Sequence, residues 1–215
     1  MDLIQQLDDA IERRSLLRHP FYTKWVAGEL PRTALQEYAR QYYAFESTFP
    51  RFLSALHSRS ERPDVRASIL DNLWDEEHGE ANHQELWLRF AEGIGVDRGD
   101  VWSAPWNDAT QGLVDAYWRS ATEGPVAAGV GALYAYERQV PEVAKAKIEG
   151  LRRWYGVEDA RTLGFFREHG TLDVEHAGAE RRIVAELAVG CEAEVLEAAG
   201  AALEAWWRFL DAVDA

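Results

Sequence analysis

Cysteine is almost missing from this 215-residue chain: Cys191 stands alone, which excludes an intramolecular disulfide framework and fits a reducing compartment. Basic residues are scarce too, with 23 Lys and Arg against 37 Asp and Glu and a formal charge of −14. Nucleic acid and anionic membranes both reward clusters of Lys and Arg, so neither is expected as a partner. Long apolar runs are absent, and the most apolar stretch, Gly124 to Tyr136, is too short to span a bilayer. Met1 to Asp9 is acidic and amphipathic and lacks the parts of a signal peptide, so a soluble, cytoplasmic protein is expected. Internal repeats, low-complexity tracts and composition breaks are lacking as well. One domain over residues 1–215 follows as the expectation.

What is present is apolar bulk at helical spacing. Hydrophobic residues make up 47% of the chain and nine are tryptophan, which implies bulky layers in a core or around a cavity. Nearly every segment shows the 3.6-residue period and little shows strand alternation. Leu3 to Ile11 opens with one helix; Phe21 to Gly28, carrying Tyr22 and Trp25, forms a short second one after the His19-Pro20 break. Pro31 starts a long helix to about Ser58, with Leu35, Tyr38, Tyr42, Phe45, Phe49, Phe52 and Leu56 inward. Another runs from Pro63 to Ala91, and a third is capped by Asn107 or Asp108. A small-residue helix follows Pro125, one from Asp159 reaches Leu187, and a last runs from Glu192 to Val213. The fold class is all-α, a bundle of about seven helices able to host a site between facing helices.

The chemistry-bearing stretch lies in the helix to Leu187. His169, Asp173 and His176 stand three, four and seven apart, so they project from one face. Two imidazoles and a carboxylate so arranged suit iron, manganese or zinc. Glu76 and His83, seven apart, share a stripe two turns long, and Glu80 rivals Glu76 as the carboxylate on that helix. Glu137 ends an uncharged run four residues before Pro141, where the helix should kink. Six such groups exceed the needs of one open metal site and suit a pair of ions, and the lack of sulfur favours iron or manganese. His19 and His57 read as structural hydrogen-bonders, His78 lies off the stripe, and Cys191 reads as a small buried residue.

Several motifs together carry a resemblance: Phe21-Tyr22, Tyr38-Ala39, Phe49-Pro50-Arg51-Phe52-Leu53-Ser54-Ala55, Asp71-Asn72-Leu73 with Asp75-Glu76-Glu77, and Ala132-Leu133-Tyr134 with Tyr136-Glu137. The sequence resembles the haem-oxygenase-like diiron oxidases, a helical superfamily that also holds the TenA and PqqC proteins. It is most similar to the 4-aminobenzoate synthases typified by the Chlamydia protein associating with death domains. That resemblance implies a haem-oxygenase-like fold and a dinuclear site on Glu76, His83, Glu137, His169, Asp173 and His176, which settles Glu76 over Glu80. It implies Fe/Fe, Mn/Fe or Mn/Mn occupancy, with dioxygen and an external electron donor as co-substrates. It also implies that Tyr22 is consumed as the source of the aromatic ring, that Lys147 donates the amino group, and that Tyr38 and Tyr136 support them. Lys145, two positions away, faces elsewhere. A sister oxidase acting on a diffusible amino acid or fatty acid is the alternative, and a non-enzymatic helical interaction module is a third reading. A homodimer is an assembly open to it.

Overall fold

A computed structural model describes residues 2–214, all of whose regular elements are helical. Met1, with which the N-terminal stretch opens, and Ala215, at the end of the expected 1–215 unit, lie outside the described residues. The α-helices are α1 (Leu3–Arg13), α2 (Pro20–Ala27), α3 (Arg32–Arg59), α4 (Pro63–Glu77), α5 (His83–Gly93), α6 (Arg98–Ser103), α7 (Asp108–Thr122), α8 (Val126–Glu137), α9 (Val140–Trp154), α10 (Gly164–Leu187) and α11 (Glu192–Asp214). No helix among the described residues is long and apolar enough to cross a membrane.

The all-α class is as expected, but the chain divides more finely than its hydrophobic period suggests. The stretch from Pro63 to Ala91 is two helices, not one. His78 leaves α4 in an extended conformation, Gly79 takes a positive φ of 86°, and Asn82 caps α5 by accepting from Glu85 N at 3.0 Å. At Pro141 the chain starts afresh: α8 stops at Glu137, and Pro141 occupies the first turn of α9, where its missing N–H costs nothing. Asp159 does not open α10. Its carboxylate accepts from Thr162 N at 2.8 Å in a turn, and the helix begins at Gly164.

The innermost helix is α8, buried at every residue from Ala127 to Glu137 and packed against α3, α7, α10 and α11. Its glycines make that approach close. A Cβ at Gly129 would stand 2.5 Å from Leu56 Cδ2 and 2.7 Å from Ser120 O, and one at Gly131 2.8 Å from Val195 Cγ1. The 28-residue α3 turns its aromatic stripe, Tyr38, Tyr42, Phe45, Phe49 and Phe52, into the same interior. Trp206 of α11 stacks on Tyr136 of α8 with ring centroids 4.5 Å apart and planes 11° apart, while Trp87 of α5 stacks on Tyr42 at 4.0 Å. The tryptophans do not all serve the core, however: Trp74, Trp102, Trp106 and Trp154 are exposed. Helix α2 lies on α9, and the indole N–H of Trp25 donates to Lys147 O.

Candidate active site

Two groups of ligand-capable side chains face each other inside the bundle. Glu46, His83 and His169 form one, from α3, α5 and α10, and Glu137, Asp173 and His176 form the other, from α8 and α10. All six are buried. Glu76, at the end of α4, joins the first group through His83, whose Nδ1 lies 2.8 Å from Glu76 Oε2. The α4–α5 break therefore brings Glu76 and His83 together by a chain reversal, where the expected helix would have kept them two turns apart. Glu80 is exposed in the connecting loop.

Glu46 was not legible as a site residue, although a lone acid one turn after Tyr42 in an aromatic stripe was a usable signal. Glu180 was missed as well. It stands one turn beyond His176 on the face that carries His169 and Asp173, and it is buried without a hydrogen-bond partner on either oxygen. Asn72, within the Asp71-Asn72-Leu73 motif, donates its side-chain N–H to Glu137 Oε1 at 3.1 Å. His176 Nε2 lies 3.1 Å from Asp75 Oδ2, and His169 Nδ1–H donates to Phe165 O at 3.0 Å.

The electrostatics are those of anions crowded away from water. Burial first, and then the Asp173 charge, push the Glu137 carboxyl up to about 8. Burial also raises Asp173 to about 6, against the pull of the nearby His176 imidazole. Glu46 and Glu180 are held well above the carboxylate range by the same desolvation. For His83, burial alone would lower the imidazole, but Glu76 more than offsets it and the value rises to about 9. His176 is likewise raised to about 9, where burial is outweighed by Asp173 and Glu137. His169 is pushed well below its ordinary value, by burial and by the charge of His83.

These residues fit a pair of divalent cations. Glu46 Oε1, Asp173 Oδ2, His176 Nδ1 and both Glu180 oxygens are buried without hydrogen-bond partners, a costly state that bound cations relieve. Oxygen and nitrogen donors without thiolate suit iron or manganese.

The tyrosines and Lys147 lie beside this centre. Lys147 is buried in α9, against the ordinary fate of a lysine, while Lys145 is exposed. Its Nζ donates to Tyr38 Oη at 2.7 Å and stands 5.5 Å from the Tyr22 ring centroid. Burial pushes the Tyr22 phenol far above its ordinary value, with the neighbouring Tyr38 hydroxyl pulling the other way. Burial pushes Lys147 down to about 7, with the Glu46 charge pulling the other way. Tyr22 sits in the short helix expected after the His19-Pro20 break, buried between Phe21 and Trp25. Tyr136 Oη lies 2.6 Å from Tyr42 Oη.

Two small cavities connect the tyrosines to the ligand groups. One, of about 10 Å³, is lined by Tyr22, Tyr38, Lys147 and, on its far side, Tyr42, Tyr136 and His169. The other, also about 10 Å³, shares those last three and is otherwise walled by Phe45, Phe49 and the carboxylates of Glu46, Glu76, Glu137 and Asp173. Each has room for about one water.

The remaining singletons behave as ordinary side chains. His19 caps α2 by accepting from Phe21 N and pairs with Asp211 at 3.1 Å, and the exposed His78 stacks on Trp74. Cys191 is half-buried, not buried as expected, because it precedes α11.

Sequence and fold comparisons agree with this geometry. Residues 36–207 match a family described as iron-containing redox enzymes, the second haem-oxygenase family. A 4-aminobenzoate synthase of Chlamydia muridarum is 40% identical over 211 residues, covering 98% of this chain and 89% of the relative. The 4-aminobenzoate synthase of Nitrosomonas europaea is 40% identical over 220 residues, covering 97% and 89%. The fold matches a crystal structure of a TenA homologue from Pseudomonas syringae with a TM-score of 0.82 at 16% identity, over 98% of this chain and 90% of that one. With its helical bundle and buried carboxylate–imidazole groups, the chain belongs, together with the 4-aminobenzoate synthases it resembles, to the haem-oxygenase-like family of iron-containing redox enzymes.

Proposed function

We propose that the protein is a dimetal oxygenase that forms 4-aminobenzoate from its own Tyr22, with Lys147 as amino donor. The observation that carries the reading is the shared wall of Tyr42, Tyr136 and His169 between the ligand groups and a Tyr22–Tyr38–Lys147 cluster. A diffusible aromatic substrate needs a pocket of roughly 300 Å³ or more, and the cavity at this wall is about 10 Å³. The ring that meets the oxidant is therefore part of the wall itself.

Glu46, Glu76, His83 and His169 would hold one ion, and Glu137, Asp173 and His176 the other. Iron, alone or with manganese, would supply binding and reductive activation of dioxygen, with electrons from an external donor. The chain's own residues do the rest. Aromatic packing fixes the Tyr22 ring and keeps bulk water out, and Lys147, held by the Tyr38 hydroxyl, stands over that ring. Desolvation keeps about half of the Lys147 side chain neutral near pH 7, whereas an exposed lysine is almost wholly protonated there. A neutral amine has the lone pair that nitrogen transfer requires.

Protein loaded with iron and manganese and given reductant and air is expected to release 4-aminobenzoate, at no more than one per chain, with a matching loss of intact mass. Many turnovers with an unchanged mass would sink the reading. The yield should also rise with pH through about 7 and level off above it, since only the deprotonated Lys147 is competent. Single-turnover yields over about pH 6 to 9 check this, and a yield that falls through that window removes Lys147 as the amino donor.

A further inference from the structure

The two imidazoles of α10 are tied down by opposite nitrogens. His169 Nδ1–H donates to the Phe165 carbonyl at 3.0 Å, one turn back on the same helix, which leaves the lone pair on Nε2. His176 is turned the other way. Its Nε2 lies 3.1 Å from Asp75 Oδ2 on α4, while its Nδ1 has no hydrogen-bond partner. That Nδ1 faces Asp173 Oδ1 at 3.7 Å and Glu137 Oε2 at 3.8 Å, the two carboxylates of its own group. A neutral imidazole carries one proton, so a carboxylate accepting at Nε2 fixes the lone pair on Nδ1, toward those carboxylates.

Asp75 has no place in either ligand group, and its side chain is 36% exposed. It lies next to Glu76, so its hydrogen bond also spans the α4–α10 contact at the edge of the site. We propose that Asp75 is a positioning residue that holds His176 in the form that coordinates through Nδ1, and so sets the metal affinity of the Glu137/Asp173/His176 group. The Phe165 carbonyl does the corresponding work for His169, which coordinates through Nε2. An anionic acceptor makes its imidazole the stronger donor, so the two groups differ in basicity although each is built with histidine. This inference rests on the metal-site reading given above.

Zinc(II), which is redox-silent and diamagnetic, tests it without turnover. In the zinc-loaded wild type, long-range proton–nitrogen NMR should show His176 with its proton on Nε2 and His169 with its proton on Nδ1. Asp75→Ala is expected to bind one of the two zinc ions about 10- to 100-fold more weakly and the other as before, and to lose the single His176 tautomer. Asp75→Asn keeps an oxygen that accepts from Nε2–H, and should restore both the tautomer and most of the affinity. Circular dichroism and melting of the zinc-free variants establish that each is folded, and a folded but merely loosened protein would not show one ion affected and the other spared. A His176 proton on Nδ1 in the loaded wild type, or Asp75→Ala binding both ions as tightly as wild type, overturns the role of Asp75. Wild-type protein that binds no zinc overturns the metal-site reading, and this inference with it.

Discussion

Tyr22→Phe is expected to make no detectable 4-aminobenzoate and to keep its intact mass after exposure to iron, reductant and air. Phenylalanine preserves the ring, so the packing against Phe21 and Trp25 survives. Only the hydroxyl is lost, and the Tyr38 hydroxyl keeps its bond from Lys147. Removing one buried polar group of this kind costs at most about 1–3 kcal/mol, which a folded domain of this size tolerates. The variant should therefore load metal as well as wild type does, separating loss of the ring source from damage to the centre. A product yield equal to that of wild type would end the self-consumption reading and return attention to a diffusible substrate.

The second large effect is on stability. Metal in excess at about a thousand times its dissociation constant stabilises the folded chain by about 4 kcal/mol, which for a protein of this size corresponds to roughly 8–16 °C in Tm. The gain should also depend on pH, with a sign that the site dictates. In the metal-free protein the folded pKa values of Glu137 (about 8), Asp173 (about 6), His83 and His176 (each about 9) all lie above their ordinary values. Stability linked to such groups is full at low pH and is lost as pH rises through the folded values. Lys147 and His169 run the other way, since burial holds the folded value of each below its ordinary one. Glu46 and Glu180 are raised like the first four, so six groups outweigh two and the metal-free chain should lose stability as pH rises toward about 9. Metal binding needs the same groups deprotonated and strengthens over that range. Melting curves with and without manganese(II) should thus diverge as pH rises, and His169→Ala should abolish most of the divergence. Parallel curves would mean that the ion binds elsewhere.

The comb of His169, Asp173 and His176 was legible because one helix carries it, and helical spacing is a local property. Glu137 was legible for a similar reason: a charge closing an uncharged run must be satisfied somewhere. Lys147 could not be told from a surface lysine by pattern, because its burial comes from α2 and α3 packing over α9, contacts made by residues far away in the chain. Glu46 and Asp75 are of the same kind. Each meets its histidine only through the docking of α3 or α4 onto the α5–α10 pair. The α4–α5 break, in contrast, was written in the sequence. Gly79 followed by Asn82 is a turn and a helix N-cap, and the apolar period on both sides masked it. Pro141 was weighed as a kink, when proline serves equally well as a first-turn residue of a new helix.

Tyr22 is 3% exposed and wedged between two aromatic rings beside a cavity of about 10 Å³. On the proposed reading, consuming its ring would be the same event as a large-to-small substitution in the core. Such truncations cost about 3–5 kcal/mol, a large share of the roughly 5–15 kcal/mol that holds a domain together. A chain that has given up its ring is thereby a destabilised variant of itself, opening more often and meeting proteases more often than a fresh copy. Under that proposal, packing the reagent into the core would let proteolysis tell spent protein from unspent with no separate recognition signal.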